Sequence, residues 1–356
     1  MRSGTAAIEH AVRVIAYACY LAGARNLIAE IRSDVCGPKI RTAIARHDTP
    51  TLFDWPIEAL SYQGISDRVA YDYLEQHGGI TWRDIEQSLS RSVSCPKLRS
   101  YWHYYDCRYQ KSQGTCAELN HISRCPVPAY NLRNGRLNQT AFALYLFIRD
   151  IAGCDLVAWI DAQLRKEAEH MGSDRLAGIR EALIGPLRNV YGVSDKVIAM
   201  ALSSILLAAP KNRPDWHKVG ANLIAVDTLV HNFLHRTGIL RRFAADHPYG
   251  AACYRPGGCA DIIRAVAERI DAREFGRGYP RCFPRFVQHA IWQYCAQQGR
   301  DICNANRIDD ARSCQNTACR IHGICDRVAL HAWPNTIVIM YALGYVTDCA
   351  CIFFYL

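Results

Sequence analysis

The stretch Tyr191–Ser204, YGVSDKVIAMALSS, sets a glycine and a short polar step ahead of a long apolar run, with one lysine at the join. Gly192 tolerates positive φ, and Ser194 and Asp195 are both good helix N-caps, so the local grammar is a tight turn running into a helix. The run behind them, VIAMALSSILLAA, is apolar on all sides. The helix is therefore expected to be buried, with its N-terminus held rigidly. Exposed amides at such a turn form an anion site, and a DNA phosphate is one candidate anion. Taken alone, Lys196 is ambiguous, because a lysine in a first helical turn is commonly just solvated.

Helical periodicity extends outward from that stretch. Residues 6–32, 67–78, 139–153, 156–171, 226–238, 260–275 and 286–299 read as helices, and few stretches alternate with a period of two. The expected class is mainly α, with loops around 91–135, 209–222 and 303–326. A chain of 356 residues, half of them apolar, can bury a substantial core and is long enough for two domains.

Charge is uneven along the chain. The net +9 is modest, but residues 91–136 hold eight Arg or Lys against Asp106 and Glu118, which leaves +6 in one segment. An acidic polymer is the natural partner. The seventeen cysteines raise the question of a secreted disulfide scaffold. The N-terminal apolar stretch carries Glu9, Arg13 and Arg25 and reads as an amphipathic helix rather than a signal peptide. The expected compartment is the reducing cytoplasm, at the nucleoid in a prokaryote, where abundant cysteine means metal or buried thiols. The apolar tail at 336–356 is interrupted by Asp348 and is too short on either side to span a membrane; it reads as a packed element.

Two cysteine sets stand out. Cys303, Cys314, Cys319 and Cys325 lie at intervals that let four thiolates wrap one compact centre. Zinc and a [4Fe–4S] cluster both accept four cysteines; the tight CxxC knuckle usual for zinc is missing. Cys95, Cys107, Cys116 and Cys125 are spaced more loosely, with His103 and His121 between them. They read either as a second metal site, zinc or iron–sulfur, or as unligated thiols. The same insert contains YWHYYDCRYQK, residues 101–111, whose aromatics interleave with Arg108 and Lys111. That composition suits DNA backbone contact and base stacking, or packing of the insert on its own core.

Three segments occur in a telling order: FDWPIEALSYQGISDRVAYDYL, then VYGVSDK followed by AVDTLVHNFLHRTG, then HAIWQYCAQQGRDIC leading into the later cysteine quartet. Together they resemble the endonuclease III branch of the helix-hairpin-helix DNA glycosylase superfamily, over roughly residues 50–90 and 150–326. The resemblance implies a six-helix domain over 49–228 carrying the hairpin, interrupted by an insert at about 91–135. It also implies an iron–sulfur domain formed by 1–48 with 229–356. It makes Gly192, Val193 and Ser194 the phosphate-binding hairpin, Lys196 the nucleophile and Asp227 the essential carboxylate. Gln63 becomes the residue that fills the gap left by an extruded nucleotide, and Cys303, Cys314, Cys319 and Cys325 become the ligands of a [4Fe–4S] cluster. The chain departs from the family in three places: Ser194 stands where the hairpin has its second glycine, the cysteine loop is wider, and a loop near residues 209–221 lengthens the step from Lys196 to Asp227.

The expected activity is excision of a damaged or mismatched base from double-stranded DNA, with AP-lyase cleavage, by a monomer with no membrane association. Side chains cannot reach a base inside a duplex, so the enzyme must extrude it. Lys97, Arg99, Arg108 and Lys111 of the insert are further candidate DNA contacts. The alternatives are a monofunctional glycosylase in which Asp227 activates water, a non-catalytic module that binds damaged DNA, and a cysteine-rich zinc-dependent regulatory protein.

Overall fold

The first apolar period breaks in two. Helices α1 (Arg2–Ala22) and α2 (Leu27–Asp34) are separated by a turn, at the end of which Asn26 Oδ1 accepts from the Ala29 amide at 3.0 Å and starts a new helix. The computed structural model describes residues 2–34, 38–61, 67–90, 95–168 and 175–330. Gln63 and the apolar tail lie outside the described residues.

Helix α3 (Pro38–Arg46) leads into α4 (Thr49–Ser61), which begins where Asp48 accepts from the Thr51 amide at 3.2 Å. After α5 (Asp67–His77), α6 (Trp82–Ser90) opens with a reciprocal cap. The Thr81 amide donates to Asp84 at 2.8 Å, and the Asp84 amide donates to Thr81 Oγ1 at 3.3 Å.

The cysteine-rich insert follows. It contains a single helical turn, α7 (Tyr101–Tyr104), and an antiparallel ribbon of β1 (Tyr109–Gln110) with β2 (Thr115–Cys116); the rest is short 3-10 turns. The ribbon is the only sheet among the described residues. The chain is mainly helical, as the periodicity predicts.

Next come α8 (Asn138–Asp150), α9 (Leu156–Ala168), α10 (Arg175–Leu187) and α11 (Asp195–Ala208). Residues 209–222, expected as a loop, instead carry α12 (Pro214–Asn222). Proline at the first helical position sets φ without costing a hydrogen bond. Trp216, fully buried, donates from Nε1 to Asp161 at 2.6 Å, and Arg213 pairs with the same carboxylate at 2.5 Å. This knot pins α12 to α9. Two charged residues flanking one tryptophan do not show as an apolar period, so the helix is hidden from periodicity.

The chain ends its described part with α13 (Thr228–Arg236), α14 (Ile239–Arg242), α15 (Cys259–Ala267) and α16 (Pro284–Cys295). Helix α15 stops earlier than its periodicity suggests; a separate 3-10 turn covers Ala272–Glu274. Residues 303–326 are irregular, as expected.

Helix α1 lies along α16 and also touches α14 and α15, while α16 packs on α13 and α12. Helix α11 packs most closely on α12 and also meets α2. One continuous apolar core runs from Ile8 and Val14 through Leu206 and Phe233 to Phe286 and Ile291. Among the described residues no single helix is long and apolar enough to cross a membrane; α1 and α2 qualify only as a pair bent by 51°.

Candidate functional site

The turn between α10 and α11 has the form expected. Gly192 sits at φ +75°, and a Cβ there would lie 2.6 Å from Thr140 Oγ1 on α8, so both backbone conformation and close approach demand glycine. Ser194 takes the N-cap position in extended conformation, but its side chain makes no cap hydrogen bond. Asp195, read from sequence as an alternative cap, is engaged elsewhere: Arg188 grips both its oxygens, at 2.8 and 2.7 Å, and also reaches Glu181. Of the first-turn amides of α11, that of Val197 donates to the Ser194 carbonyl at 2.9 Å, which leaves those of Asp195 and Lys196 without an acceptor in their own helix, while the Val193 amide donates back to the Val190 carbonyl at 3.4 Å. Gly192 and Ser194 are exposed and Val193 half-buried, so this edge faces solvent.

Lys196 is half-buried in the first turn of α11. Asp227 is the N-cap of α13, accepting from the Val230 amide at 2.9 Å. The two side chains, 31 positions apart in sequence, lie close enough for the lysine charge to act on the carboxylate. Burial dominates all the same and holds the Asp227 carboxyl above the ordinary carboxylate range, against the Val230 amide, Lys196 and Arg285.

Two further residues belong here that sequence reading missed. Arg285, the second residue of α16, is buried, and its Nε has no hydrogen-bond partner. Burial pulls its guanidinium down to about 10, while Tyr254 and Asp227 oppose that. Tyr249 is 44% exposed beside Asp227; partial burial, with the Asp227 charge second, pushes its phenol up to about 12. Tyr254 OH accepts from the Val226 amide at 2.8 Å and so fixes the peptide preceding Asp227. No local motif marks these residues; packing alone brings them to the carboxylate.

Cys303, Cys314, Cys319 and Cys325 line one cavity with Arg236, Tyr294 and His322. Tyr294 OH stands 3.0 Å from Cys319 Sγ, the Arg327 amide donates to Cys325 Sγ at 3.4 Å, and Arg236 Nη1 lies 4.0 Å from Cys303 Sγ. The Cys295 hydrogen bond and the Arg236 charge draw the Cys303 thiol down to about 7, whereas burial pushes Cys325 up to about 12. His322 Nε2 is buried with no partner. A single tetrahedral ion with bonds of about 2.3 Å would draw its sulfurs to about 3.8 Å apart. This quartet is not among the groups whose ligand atoms gather within 4.8 Å.

The insert cysteines also neighbour one another, although their sulfurs do not gather within 4.8 Å. Cys95, Cys107 and Cys125 each feel the charge of other members of the set, Cys116 included. A repeated local geometry underlies this. Each sulfur accepts an amide hydrogen bond from the residue two positions on: Lys97, Tyr109, Glu118 and Val127 in turn. Amide donors of this kind stabilise thiolates. His121 is held by Glu118 at 2.8 Å and His103 by Ser100 at 2.6 Å.

Of the basic residues expected at DNA, Lys97 forms an ion pair with Asp106, which Arg108 approaches at 3.5 Å. Arg99, Arg108 and Lys111 are exposed, as are Trp102 and Tyr105 at 60% and 85%.

A third set was not visible as a motif. Ligand atoms of His231, His247, Cys253 and Cys259 all lie within 4.8 Å of one another, so this group could hold a metal ion. Comparisons with protein-family models, with curated proteins and with solved structures returned no match.

Proposed function

We propose that the chain is a DNA base-excision glycosylase with AP-lyase activity, organised as the two helical domains and insert outlined from the sequence. The observation that carries this reading is that Lys196 and a half-buried Asp227 stand near each other at the N-termini of two helices, next to an exposed glycine turn. Pure binding needs neither side chain.

In this reading the turn at Gly192, Val193 and Ser194 holds a phosphate, and the nucleotide extruded beside it enters the space bounded by Asp227 and the exposed Tyr249. Tyr249 is placed to stack on the base. Lys196 Nζ, having given up a proton to solvent, attacks C1′, and the glycosidic bond breaks with its electron pair leaving on the base, which takes up a proton. Asp227 stabilises the positive charge that develops on the sugar. The adduct opens to a Schiff base, and β-elimination then breaks the C3′–O bond. Cys303, Cys314, Cys319 and Cys325 would hold a [4Fe–4S] cluster, which would supply a rigid crosslink for the loop. The insert quartet would hold a second metal centre, zinc or iron–sulfur.

Borohydride reduction in the presence of a duplex with an abasic site tests the reading. Wild-type protein should be trapped covalently on the DNA, and Lys196→Ala should abolish trapping and strand cleavage while DNA binding persists, because the turn amides remain. Undiminished trapping by Lys196→Ala would refute the lyase assignment; base removal that survives in Lys196→Ala but not in Asp227→Asn would leave a monofunctional glycosylase.

A further inference from the structure

His231 projects from the second turn of α13, and the other three members of the His–Cys set lie within one short stretch, HPYGAACYRPGGC, residues 247–259. His231 Nδ1 is 3.4 Å from Cys259 Sγ and 3.6 Å from Cys253 Sγ, and His247 Nε2 is 3.5 Å from Cys259 Sγ. A tetrahedral zinc ion with nitrogen at about 2.05 Å and sulfur at about 2.3 Å would set each such pair about 3.6 Å apart. The observed separations match this before any ion is placed.

The surroundings support an ion as well. His247 Nδ1 lies 2.9 Å from the Pro248 carbonyl, which requires the proton on Nδ1 and leaves the Nε2 lone pair free to ligate. His231, Cys253 and Cys259 are buried. Two thiolates balance the charge of a divalent cation, so a buried site of this composition is neutral overall. The loop is wound tightly enough that Gly250 takes φ +141° and ψ −144°, a conformation reserved for glycine. A Cβ on Gly258 would meet the Ala252 carbonyl at 2.4 Å.

We infer that His231, His247, Cys253 and Cys259 bind one zinc ion in a closed tetrahedral site that clamps the 247–259 loop onto α13. All four positions are filled by protein, so the ion has no open coordination for substrate and its role is structural. The clamp acts beside Asp227: Tyr254, next to Cys253, holds the Val226 peptide, and the Tyr249 ring lies 5.9 Å from the His231 ring. The inference on binding stands on this geometry alone and does not depend on the glycosylase reading.

Elemental analysis of full-length protein, prepared anaerobically with zinc and iron supplied, gives the test. Cys259→Ser and His247→Ala should each carry about one zinc per chain fewer than the wild-type protein while iron content is retained. Replacing the zinc by cobalt(II) should give the intense visible bands of a tetrahedral thiolate-ligated ion, which disappear in Cys259→Ser. If a variant fails to fold, native mass spectrometry of the wild type under stepwise chelation still counts the ions held. Absence of zinc, a Cys253–Cys259 disulfide in freshly prepared protein, or zinc that leaves with Cys107→Ser and not with Cys259→Ser would overturn the assignment.

Discussion

Asp227 carries two duties that pull in opposite directions. As the N-cap of α13 it needs only a side-chain oxygen, which asparagine also supplies. As a half-buried carboxylate partly withdrawn from water it is costly, and the net effect of desolvation, the Val230 amide, Lys196 and Arg285 is a pKa above the ordinary range. A carboxyl raised in the folded state contributes stability at low pH that is lost as pH rises through its folded pKa. Asp227→Asn should therefore raise the melting temperature at neutral pH while slowing base excision by orders of magnitude. It should also erase an acidic limb of the rate profile whose midpoint lies above that of a free aspartate. Thermal melts paired with single-turnover rates across pH check this; a destabilised but active variant would assign Asp227 to the cap alone. Lys196 and Asp227 were singled out through the family resemblance, and what the residues themselves told was only that each stands at a helix start. Arg285 and Tyr249 were not, since their roles come from burial against residues distant in the chain.

At the scale of elements, the insert shows how little periodicity says about metal-type folds. Its organising rule is local and repeated: cysteine, then an amide two residues later that points back at the sulfur. Such turns need no apolar stripe, so the sequence reading could name the four cysteines yet leave them open between ligands and free thiols. The zinc-type group escaped because one of its members lies on α13, sixteen positions before the next. The insert's charges also divide once the structure is seen. Lys97 is answered by Asp106, whereas Arg99 and Lys111 are exposed, and Arg108 is 63% exposed at its side chain. Neutralising Arg99, Arg108 and Lys111 together should flatten the salt dependence of DNA binding by up to about 0.9 per lost phosphate contact, and Lys97→Ala should change it far less. Equal slopes for wild type and triple variant would confine the insert to a structural part.

Across the whole molecule, α13 joins what the sequence presents as separate features. Its N-cap is Asp227, its second turn bears His231, and its last residue, Arg236, reaches the carbonyl of Cys303 at 3.3 Å. The helical class and most helix positions could be read from apolar spacing, but not this shared axis, which only tertiary packing creates. The other long-range feature is α1 against α16. His10 bonds the Thr237 carbonyl at 3.1 Å across 227 positions, and Arg300 bonds the Leu21 carbonyl at 3.0 Å across 279. During synthesis the first helix therefore emerges long before its dock. At about 5–20 residues per second, α1 waits on the order of tens of seconds with its apolar face uncovered. Nascent chains stalled before residue 284 should be cut by protease within α1, and chains released at full length should resist; equal resistance in both would mean that α1 finds cover elsewhere. Because α1 is made long before α16, the two can close on each other only late, which places the burden of keeping the growing chain from aggregating on whatever covers α1 at the ribosome.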